Sequence, residues 1–218
     1  MRWTMLIAGA LLACALPAAA TPVTVAHRQG TVELEAVPAR TVVFDLAVLD
    51  HLDAMGVDVV GVPDARFPPH LARYAGPEYA KVGTLFEPDL DAVRALDPDL
   101  VIVGGRSARK LPALSAIAPT VDLGTGTDGF FAGVLDTIGT LGRVYGTGAR
   151  AQALVDGLRA QRAAVAELAE GQDGVVLFAI DGRVMAHAPG ARFGILHDAL
   201  GLDAVLPREA AAGGARPE

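Results

Sequence analysis

Short apolar runs alternate with amphipathic segments along most of the chain. The runs that read as strands are TVVFD (41–45), VDVVGVP (57–63), LVIVGG (100–105) and TVDLG (120–124). The segments with apolar residues at helical spacing are 46–56, 87–97 and 111–119. Gly56 suits the end of the first helix, and Pro88 suits the first turn of the second. Strands and helices in this order predict an α/β fold with a parallel sheet covered on both faces.

The pattern changes on either side of this region. Residues 23–35 predict a β-hairpin with its turn at Arg28-Gln29-Gly30. Two longer helices are predicted over 128–146 and 147–171. The apolar residues expected to pack along the second of these helices are Ala151, Leu154, Val155, Leu158, Val165 and Leu168.

A second, smaller block follows the long helices. It has a strand over 174–180, a turn at Asp181-Gly182, and a segment, ARFGILHDALGL, that reads as a loop entering a helix. One strand pair and one helix cannot bury both faces of a sheet, so this block is predicted to be very small or incomplete.

The first twenty residues have the three-part pattern of a secretory signal peptide. Arg2 gives a positive start, residues 5–16 are apolar, and Ala18 and Ala20 form an A-x-A site with cleavage after Ala20. We therefore expect secretion of the chain that follows Ala20. Cys14 leaves an alternative open, because LLAC resembles a bacterial lipobox whose cysteine carries a lipid anchor. It is also the only cysteine, so the chain after Ala20 can form no internal disulfide.

Charge and motif content argue against several classes of function. The formal net charge is −7 at pH 7, whereas a nucleic-acid partner needs a basic face. There is no G-x-S-x-G elbow, and GTGTDG (124–129) lacks the Gly-Lys-Ser/Thr ending of a P-loop. No two histidines have the spacing of a zinc site. The pairs Asp89/Asp91 and Asp97/Asp99 lie at predicted helix ends, where carboxylates serve as caps.

A cation follows the most apolar of the predicted strands. The run 100–103 ends in Gly104 and Gly105, and Arg106 comes next. Ligands of parallel α/β sheets bind beyond the carboxyl ends of the strands, where Arg106 is expected to lie. The two glycines let the backbone turn sharply and approach a ligand closely. We therefore predict that Arg106 contacts an anionic ligand, and the alternative is a solvated surface arginine.

Three segments together resemble one protein family. They are VVFDLAVLDHLDAMGVDVVGVP (42–63), YAKVGTLFEPDLDAVRALDPDLVIVGGRSARKLPAL (79–114) and APGARFGILHDALGLDAV (188–205). They resemble the class III periplasmic solute-binding proteins of ABC importers, in the branch that binds ferric siderophores of the catecholate or mixed type. The order of helix, Asp-Pro-Asp-Leu, apolar strand and Gly-Gly-Arg carries most of the resemblance, which extends over residues 30–207.

The resemblance implies two Rossmann-like α/β lobes joined by a long helix, with the ligand in the cleft between them. The implied divisions are a signal peptide at 1–20, an N-terminal lobe at 21–146, a linking helix at 147–171 and a C-terminal lobe at 172–218. Family members continue well past this length, so the second lobe is expected to be incomplete here. The implied function is capture of a ferric siderophore and delivery to the membrane permease, by a monomer with no covalent cofactor.

The resemblance also implies which residues contact the ligand. Arg106 in GGRSAR and Arg192 in ARFG match positions at which family members bind the charged ferric siderophore. The loops at other strand ends add candidates for which loop packing is the alternative: Asp45, Leu46, Thr84, Leu85 and Phe130. His187 lies at a strand end toward the expected cleft. His197 is expected to pack or cap a helix, and Arg109 and Lys110 to lie on the surface.

Other hypotheses stay open. A secreted α/β enzyme, such as a small hydrolase, would turn over a substrate without iron. A shortened chain that folds as an N-terminal lobe alone would bind nothing and would expose an apolar face near residues 174–206. Within the resembled fold, haem or cobalamin is an alternative to a ferric siderophore.

Overall fold

A computed structural model describes residues 22–126, 129–190 and 193–206. Its strands are β1 Val23–His27, β2 Gly30–Leu34, β3 Thr41–Val43, β4 Gly61–Val62, β5 Ala80–Lys81, β6 Leu100–Val103, β7 Thr120–Asp122, β8 Asp173–Gly174, β9 Val176–Ile180, β10 Arg183–His187 and β11 Asp203–Ala204. Its α-helices are α1 Leu46–Met55, α2 Leu90–Ala95, α3 Leu111–Leu114, α4 Phe130–Val144, α5 Gly148–Ala169 and α6 Ile195–Asp198. Short 3-10 helices cover Pro69–Ala75 and Ala108–Lys110.

Five strands form one parallel sheet in the order β5-β4-β3-β6-β7. The chain runs outward from β3 through β4 to β5, and then returns to the other side of β3 with β6. Val43 pairs with Ile102, and Val103 pairs with Asp122, so β3, β6 and β7 end at one edge. Strand order reverses beside β3, and open α/β sheets bind ligands at such a switch point. The predicted α/β class is confirmed.

The sheet separates two apolar cores. Val43 and Ile102 belong to the core that α1, α4 and α5 cover. Val42 and Val101, one residue away on the same strands, belong to the core that α2 covers with Val93. Successive side chains of a strand point to opposite faces, so both faces of β3 and β6 are buried. This explains why their sequences are unbroken apolar runs rather than alternating ones.

Local side-chain chemistry sets both ends of α1. Asp45 is the N-cap, and its Oδ1 accepts hydrogen bonds from the N–H groups of Ala47 at 2.9 Å and Val48 at 3.1 Å. Gly56 ends the helix with a φ of 70°, as predicted from its position. β3 stops at Val43, short of the predicted 41–45, because the chain turns into this cap.

The second predicted helix begins later than its proline suggests. α2 starts at Leu90, with Asp89 as its N-cap, and Pro88 lies before the helix in an isolated bridge with Gly83. Asp89 Oδ1 accepts hydrogen bonds from the N–H groups of Asp91 and Ala92. The start of this helix is therefore set by a carboxylate cap, and the prediction based on Pro88 is wrong.

Asp99 does not cap a helix as expected. Its carboxylate accepts hydrogen bonds from the N–H groups of Ala39 at 2.7 Å and Arg40 at 2.9 Å. The Arg40 side chain donates to the carbonyl of Leu96 at 2.9 Å. These bonds fix the entrance to β3 beside the start of β6.

Two of the apolar residues predicted to pack along α5 are exposed in its second half. A methyl group on Gly142 of α4 would place its carbon 2.5 Å from the Cβ of Ala151, so the two helices meet closely there. Ala151 is buried, whereas Val165 is 39% exposed and Leu168 is 82% exposed. The predicted packing of Val165 and Leu168 is therefore wrong, although Ala169, at the end of the same helix, is buried. Within the described ranges, no helix is both long and apolar enough to cross a membrane.

The described residues after α5 form two small sheets. β9 and β10 make an antiparallel hairpin, and the predicted turn is confirmed by a φ of 51° at Asp181 and 73° at Gly182. β8 pairs in parallel with β11. Leu177 is 60% exposed and Val184 is 64% exposed, which is the apolar surface that the fragment hypothesis expects. The division into lobes at residues 146 and 171 stays a prediction.

A buried hydrogen bond joins the end of α4 to β3. The Tyr145 hydroxyl lies 2.7 Å from Thr41 Oγ1, and both residues are buried. Burial raises the pKa of Tyr145, so this hydroxyl stays protonated in the physiological range. The bond holds the helix layer against the central strand.

We predict that Tyr145→Phe lowers the free energy of unfolding by about 1–3 kcal/mol, because Thr41 loses its partner in a buried position. Urea unfolding followed by circular dichroism measures the change. Tyr79→Phe is the matched control, since Tyr79 is half-buried and its hydroxyl makes no hydrogen bond within the described part of the chain. Equal losses in both variants would contradict the prediction.

Candidate functional site: a ligand cleft at the sheet edge

A cleft of about 730 Å³ opens at the carboxyl ends of β3, β6 and β7. Ligand pockets typically measure about 300–1,000 Å³. The lining residues are Arg28, Phe44, Asp45, Leu46, Ala47, Leu85, Gly104, Gly105, Arg106, Gly124, Thr125, Gly126, Phe130, Phe193 and Ile195. Five of the residues predicted for the site therefore come together: Asp45, Leu46, Leu85, Arg106 and Phe130.

A buried serine holds the turn that carries Arg106. Gly104 N donates to Ser107 Oγ at 3.1 Å, and Ser107 Oγ donates to the carbonyl of Gly104 at 3.1 Å. Gly105 has a φ of 48°, a left-handed conformation that favours glycine. Arg106 thus lies on a closed turn rather than on a free loop. Ser107 is not among the sequence-based candidates, since a single serine carries no pattern.

Two glycines let the ends of β6 and β7 meet. A methyl group on Gly104 would place its carbon 2.6 Å from Asp45 Oδ2 and 2.9 Å from the Cα of Gly124. A methyl group on Gly124 would lie 2.7 Å from the backbone nitrogen of Gly105. Both distances are too short for a side chain, so the absence of a Cβ is required here for close backbone packing. Gly104 therefore has a packing role between the strand ends, in addition to the expected role of letting the backbone approach a ligand.

The Arg106 guanidinium has an aromatic neighbour. Its Cζ lies 5.7 Å from the centroid of the Phe86 ring, within the range of a cation–π contact. Arg106 makes no ion pair with a carboxylate in the described ranges. Nearby, Lys110 pairs with Glu87 at 2.5 Å, and Lys110 and Arg109 are absent from the cleft lining. Of these three neighbouring cations, Arg106 is the one that lines the described cleft.

Thr84 holds the loop that carries Leu85. Thr84 Oγ1 accepts hydrogen bonds from the N–H groups of Phe86 at 3.3 Å and Glu87 at 3.0 Å. Leu85 lines the cleft, but Thr84 does not. The described contacts of Thr84 are those of loop closure, and a ligand contact by Thr84 stays an unsupported prediction.

The C-terminal block supplies a second wall of the cleft through Phe193 and Ile195. The Phe193 ring stacks on Phe178 with centroids 4.4 Å apart, and the His187 ring meets Phe193 edge-on at 5.0 Å. His187 is not in the lining, and its Nε2 is buried without a hydrogen-bond partner among the described residues. The structure thus places His187 behind Phe193 rather than at the cleft surface.

One lining cation is absent from the sequence-based candidates. Arg28 lies in the turn between β1 and β2, and its backbone nitrogen donates to the carbonyl of Asp122 at 3.2 Å. The turn itself is predicted correctly. Its place beside β7 is not, because a contact between residues so far apart leaves no local signal in the sequence.

The fixed charges of the described lining are two arginines and one carboxylate. Arg28 and Arg106 supply the positive charges, and Asp45 supplies the negative one, which is also the cap of α1. Burial lowers the pKa of His27, and the nearby Asp122 opposes this only in part. His27 is therefore neutral at pH 7 and adds no charge beside Arg28. The lining carries a net positive charge in an acidic chain.

Some predicted positions lie outside the described residues. They include Arg192, the second arginine implied by the resemblance, and the signal-peptide region with Cys14. His197 is described, and its Nδ1 lies 3.1 Å from the carbonyl of Leu202. This contact is a structural one within the C-terminal block, and the expected packing or capping role of His197 stays a prediction.

Residues 124–129 match G-x-G-x-x-G after β7 and before α4. In dinucleotide-binding folds this motif lies in a βαβ unit, where the helix leads back to a parallel strand. Here α4 is followed by α5, and β7 is the edge strand of the sheet. The motif therefore lacks the structural context that would indicate a dinucleotide site.

Fold and site together are those of an α/β protein with a ligand cleft at the carboxyl edge of its parallel sheet. The cleft combines aromatic and aliphatic surfaces with two guanidinium groups that have no carboxylate partner among the described residues. The described residues hold no cluster of three or more His, Cys, Asp or Glu side chains that could bind a metal ion.

The model of the periplasmic binding protein family matches residues 42–217, and the chain belongs to this family. The petrobactin-binding protein YclQ of Bacillus subtilis is 35% identical over 169 residues, which are 76% of this chain and 53% of that protein. The Fe(3+) dicitrate-binding periplasmic protein FecB of Escherichia coli is 38% identical over 121 residues, covering 53% of this chain and 39% of the relative.

Solved structures agree with this assignment. The crystal structure of YclQ matches with a TM-score of 0.80 and 33% identity, covering 84% of this chain and 66% of that one. The periplasmic catecholate-siderophore binding protein VctP of Vibrio cholerae matches with a TM-score of 0.81 and 28% identity, covering 86% of this chain and 69% of that one. The predicted resemblance and fold class are confirmed. The chain spans about half the length of YclQ and a smaller share of the other curated relatives that it matches.

We predict that Gly104→Ala lowers the free energy of unfolding by about 1–3 kcal/mol, because the added methyl group overlaps Asp45 and Gly124. Urea unfolding measures the loss. The control is Gly157→Ala, at an open position within α5 where the helix propensity of alanine should stabilise the protein by about 1 kcal/mol. Unchanged stability of Gly104→Ala would show that the strand ends are not closely packed.

Proposed function

We propose that this chain is the periplasmic substrate-binding component of an ABC importer for iron, and that its cargo is an anionic ferric siderophore. The observation that carries the proposal is the Arg106 guanidinium, which lines the cleft without a carboxylate partner among the described residues. The relatives support the class of cargo, since they are named for petrobactin, ferric dicitrate and catecholate siderophores.

The chemistry of the cleft suits such a cargo. A ferric tris-catecholate carries three negative charges on its oxygens. A guanidinium group donates paired hydrogen bonds and keeps its charge when a ligand covers it. Phe130 is 39% exposed and offers a flat apolar surface to an aromatic ring, as Phe193 does on the other wall. The iron would stay on the siderophore's own oxygens, so the protein contacts an organic anion.

Arg192 is proposed as a further guanidinium contact from the C-terminal block. It immediately precedes Phe193, which lines the cleft. A signal peptide cleaved after Ala20 would deliver the chain to the periplasm, and lipidation at Cys14 is the alternative. The loaded protein, acting as a monomer, would then pass its cargo to the membrane permease.

An enzymatic function has less support. The relatives are named as binding proteins. The described lining contains no serine, cysteine or histidine, so it holds no paired nucleophile and base of the common kinds.

We predict that Arg106→Ala weakens the binding of a ferric tris-catecholate about 10- to 150-fold, the loss of one hydrogen bond to a charged group of about 1.5–3 kcal/mol. Equilibrium dialysis read by the visible absorbance of the complex measures the dissociation constant. Arg109→Ala is the matched control, since Arg109 lies near Arg106 but outside the cleft lining.

The same assay separates the alternatives. Haem and cobalamin are titrated in parallel, and an ester substrate is tested for turnover. Binding of the ferric complex that is weakened by Arg106→Ala but not by Arg109→Ala supports the proposal. Tight binding of haem or cobalamin alone, or ester cleavage without iron, would overturn it.

A further inference from the structure

We infer that Arg28, in the turn between β1 and β2, is a second N-terminal cation that contacts the ligand's anionic oxygens. This inference rests on the proposed function and extends it to a residue outside the Gly-Gly-Arg and Arg-Phe-Gly segments. It assigns a binding role to the β1–β2 hairpin, which forms a separate two-stranded sheet and is not part of the five-stranded sheet.

Arg28 and Arg106 line the same cleft from different parts of the chain. The Arg28 side chain makes no ion pair or hydrogen bond within the described ranges, although its backbone nitrogen donates to Asp122. Some other arginines have partners within the protein: Arg73 pairs with Asp53, and Arg150 donates to the carbonyl of Met55. Two unpaired guanidinium groups that share one cleft indicate an anion with more than one charge.

The turn that carries Arg28 is anchored to the cleft edge. The Gln29 side-chain amide donates to Asp122 Oδ2 at 2.9 Å and to the carbonyl of Ala108 at 2.8 Å. Asp122 ends β7, and Ala108 follows the turn that carries Arg106. Gln29 therefore links the two segments that hold the lining arginines. A cation on an anchored turn loses less conformational freedom when it binds than one on a free loop.

The neighbouring acid does not neutralise Arg28 by direct pairing. Asp122 is buried, and its oxygens accept hydrogen bonds from the Gln29 amide and, at 3.1 Å, from Gly124 N. The other carboxylate of the lining, Asp45, caps α1. Both acids have N–H donors as partners, which leaves Arg28 available to a ligand.

The test uses two ferric complexes that differ in charge. One is a ferric tris-catecholate with three negative charges, and the other is a ferric tris-hydroxamate with no net negative charge. We expect Arg28→Ala to weaken binding of the anionic complex about 10-fold, the loss of a charge-assisted hydrogen bond, and to reduce the dependence of its binding on salt. Arg28→Lys should retain part of the affinity, and any binding of the uncharged complex should change less than about 2-fold.

Two further variants control for structure. Arg183→Ala removes an exposed arginine beside the turn of the β9–β10 hairpin, outside the cleft lining, and should leave both affinities unchanged. Gln29→Ala keeps the charge of Arg28 but removes its anchor, and should weaken binding while preserving the salt dependence. Circular dichroism and thermal unfolding confirm that each variant is folded.

The outcomes separate this inference from the proposed function. If the wild type binds the anionic complex and Arg106→Ala weakens it, but Arg28→Ala matches Arg183→Ala, then Arg28 is a solvated surface residue and only the inference fails. If Arg28→Ala weakens both complexes equally, its effect is structural and the inference also fails. If the wild type binds no ferric complex, the proposed function is wrong, and the role of Arg28 fails with it.

Discussion

The cleft depends on the close packing of three strand ends around Gly104. Its backbone lies against Gly124 and beside the Asp45 carboxylate, in a space too small for a Cβ atom. The same carboxylate caps α1, and the same turn carries Arg106. The start of α1, the spacing of the strand ends and the position of Arg106 therefore all depend on the packing around Gly104. Close packing of this kind holds a functional side chain in position because the surrounding backbone cannot shift easily.

The distribution of charge is a second constraint. The chain is acidic overall, with a formal net charge of −7, yet the described cleft lining carries two arginines against one capping aspartate. A local positive potential in an acidic protein favours an anionic ligand over an anionic macromolecule, whose approach the remaining surface opposes. The fold places these arginines at the switch point of the sheet, where both strand ends and the hairpin turn converge.

The two parts of the chain differ in how well they are packed. The sheet of residues 41–122 is buried on both faces by helices. Beyond the middle of α5, apolar side chains such as Leu168, Leu177 and Val184 are largely exposed. Phe193, from this less packed part, nevertheless reaches the cleft and stacks on Phe178. The well-packed part of the protein therefore carries Arg106 and anchors the turn that carries Arg28, and the less packed part adds Phe193 to the cleft.

The sequence alone determined the parallel α/β class, the turns at Gly56 and Asp181-Gly182, and the position of Arg106 at a strand end. Each of these features follows from the pattern of residues that are only a few positions apart. The Asp89 cap shows the limit, because both Pro88 and Asp89 suit a helix start and only backbone geometry chooses between them. Tertiary structure alone decided that Gly104 packs on Gly124, that Ser107 locks the turn, and that Arg28 enters the cleft. Those contacts join distant segments through strand register and burial. The sequence pattern records which residues are apolar or polar, but not which distant surfaces meet.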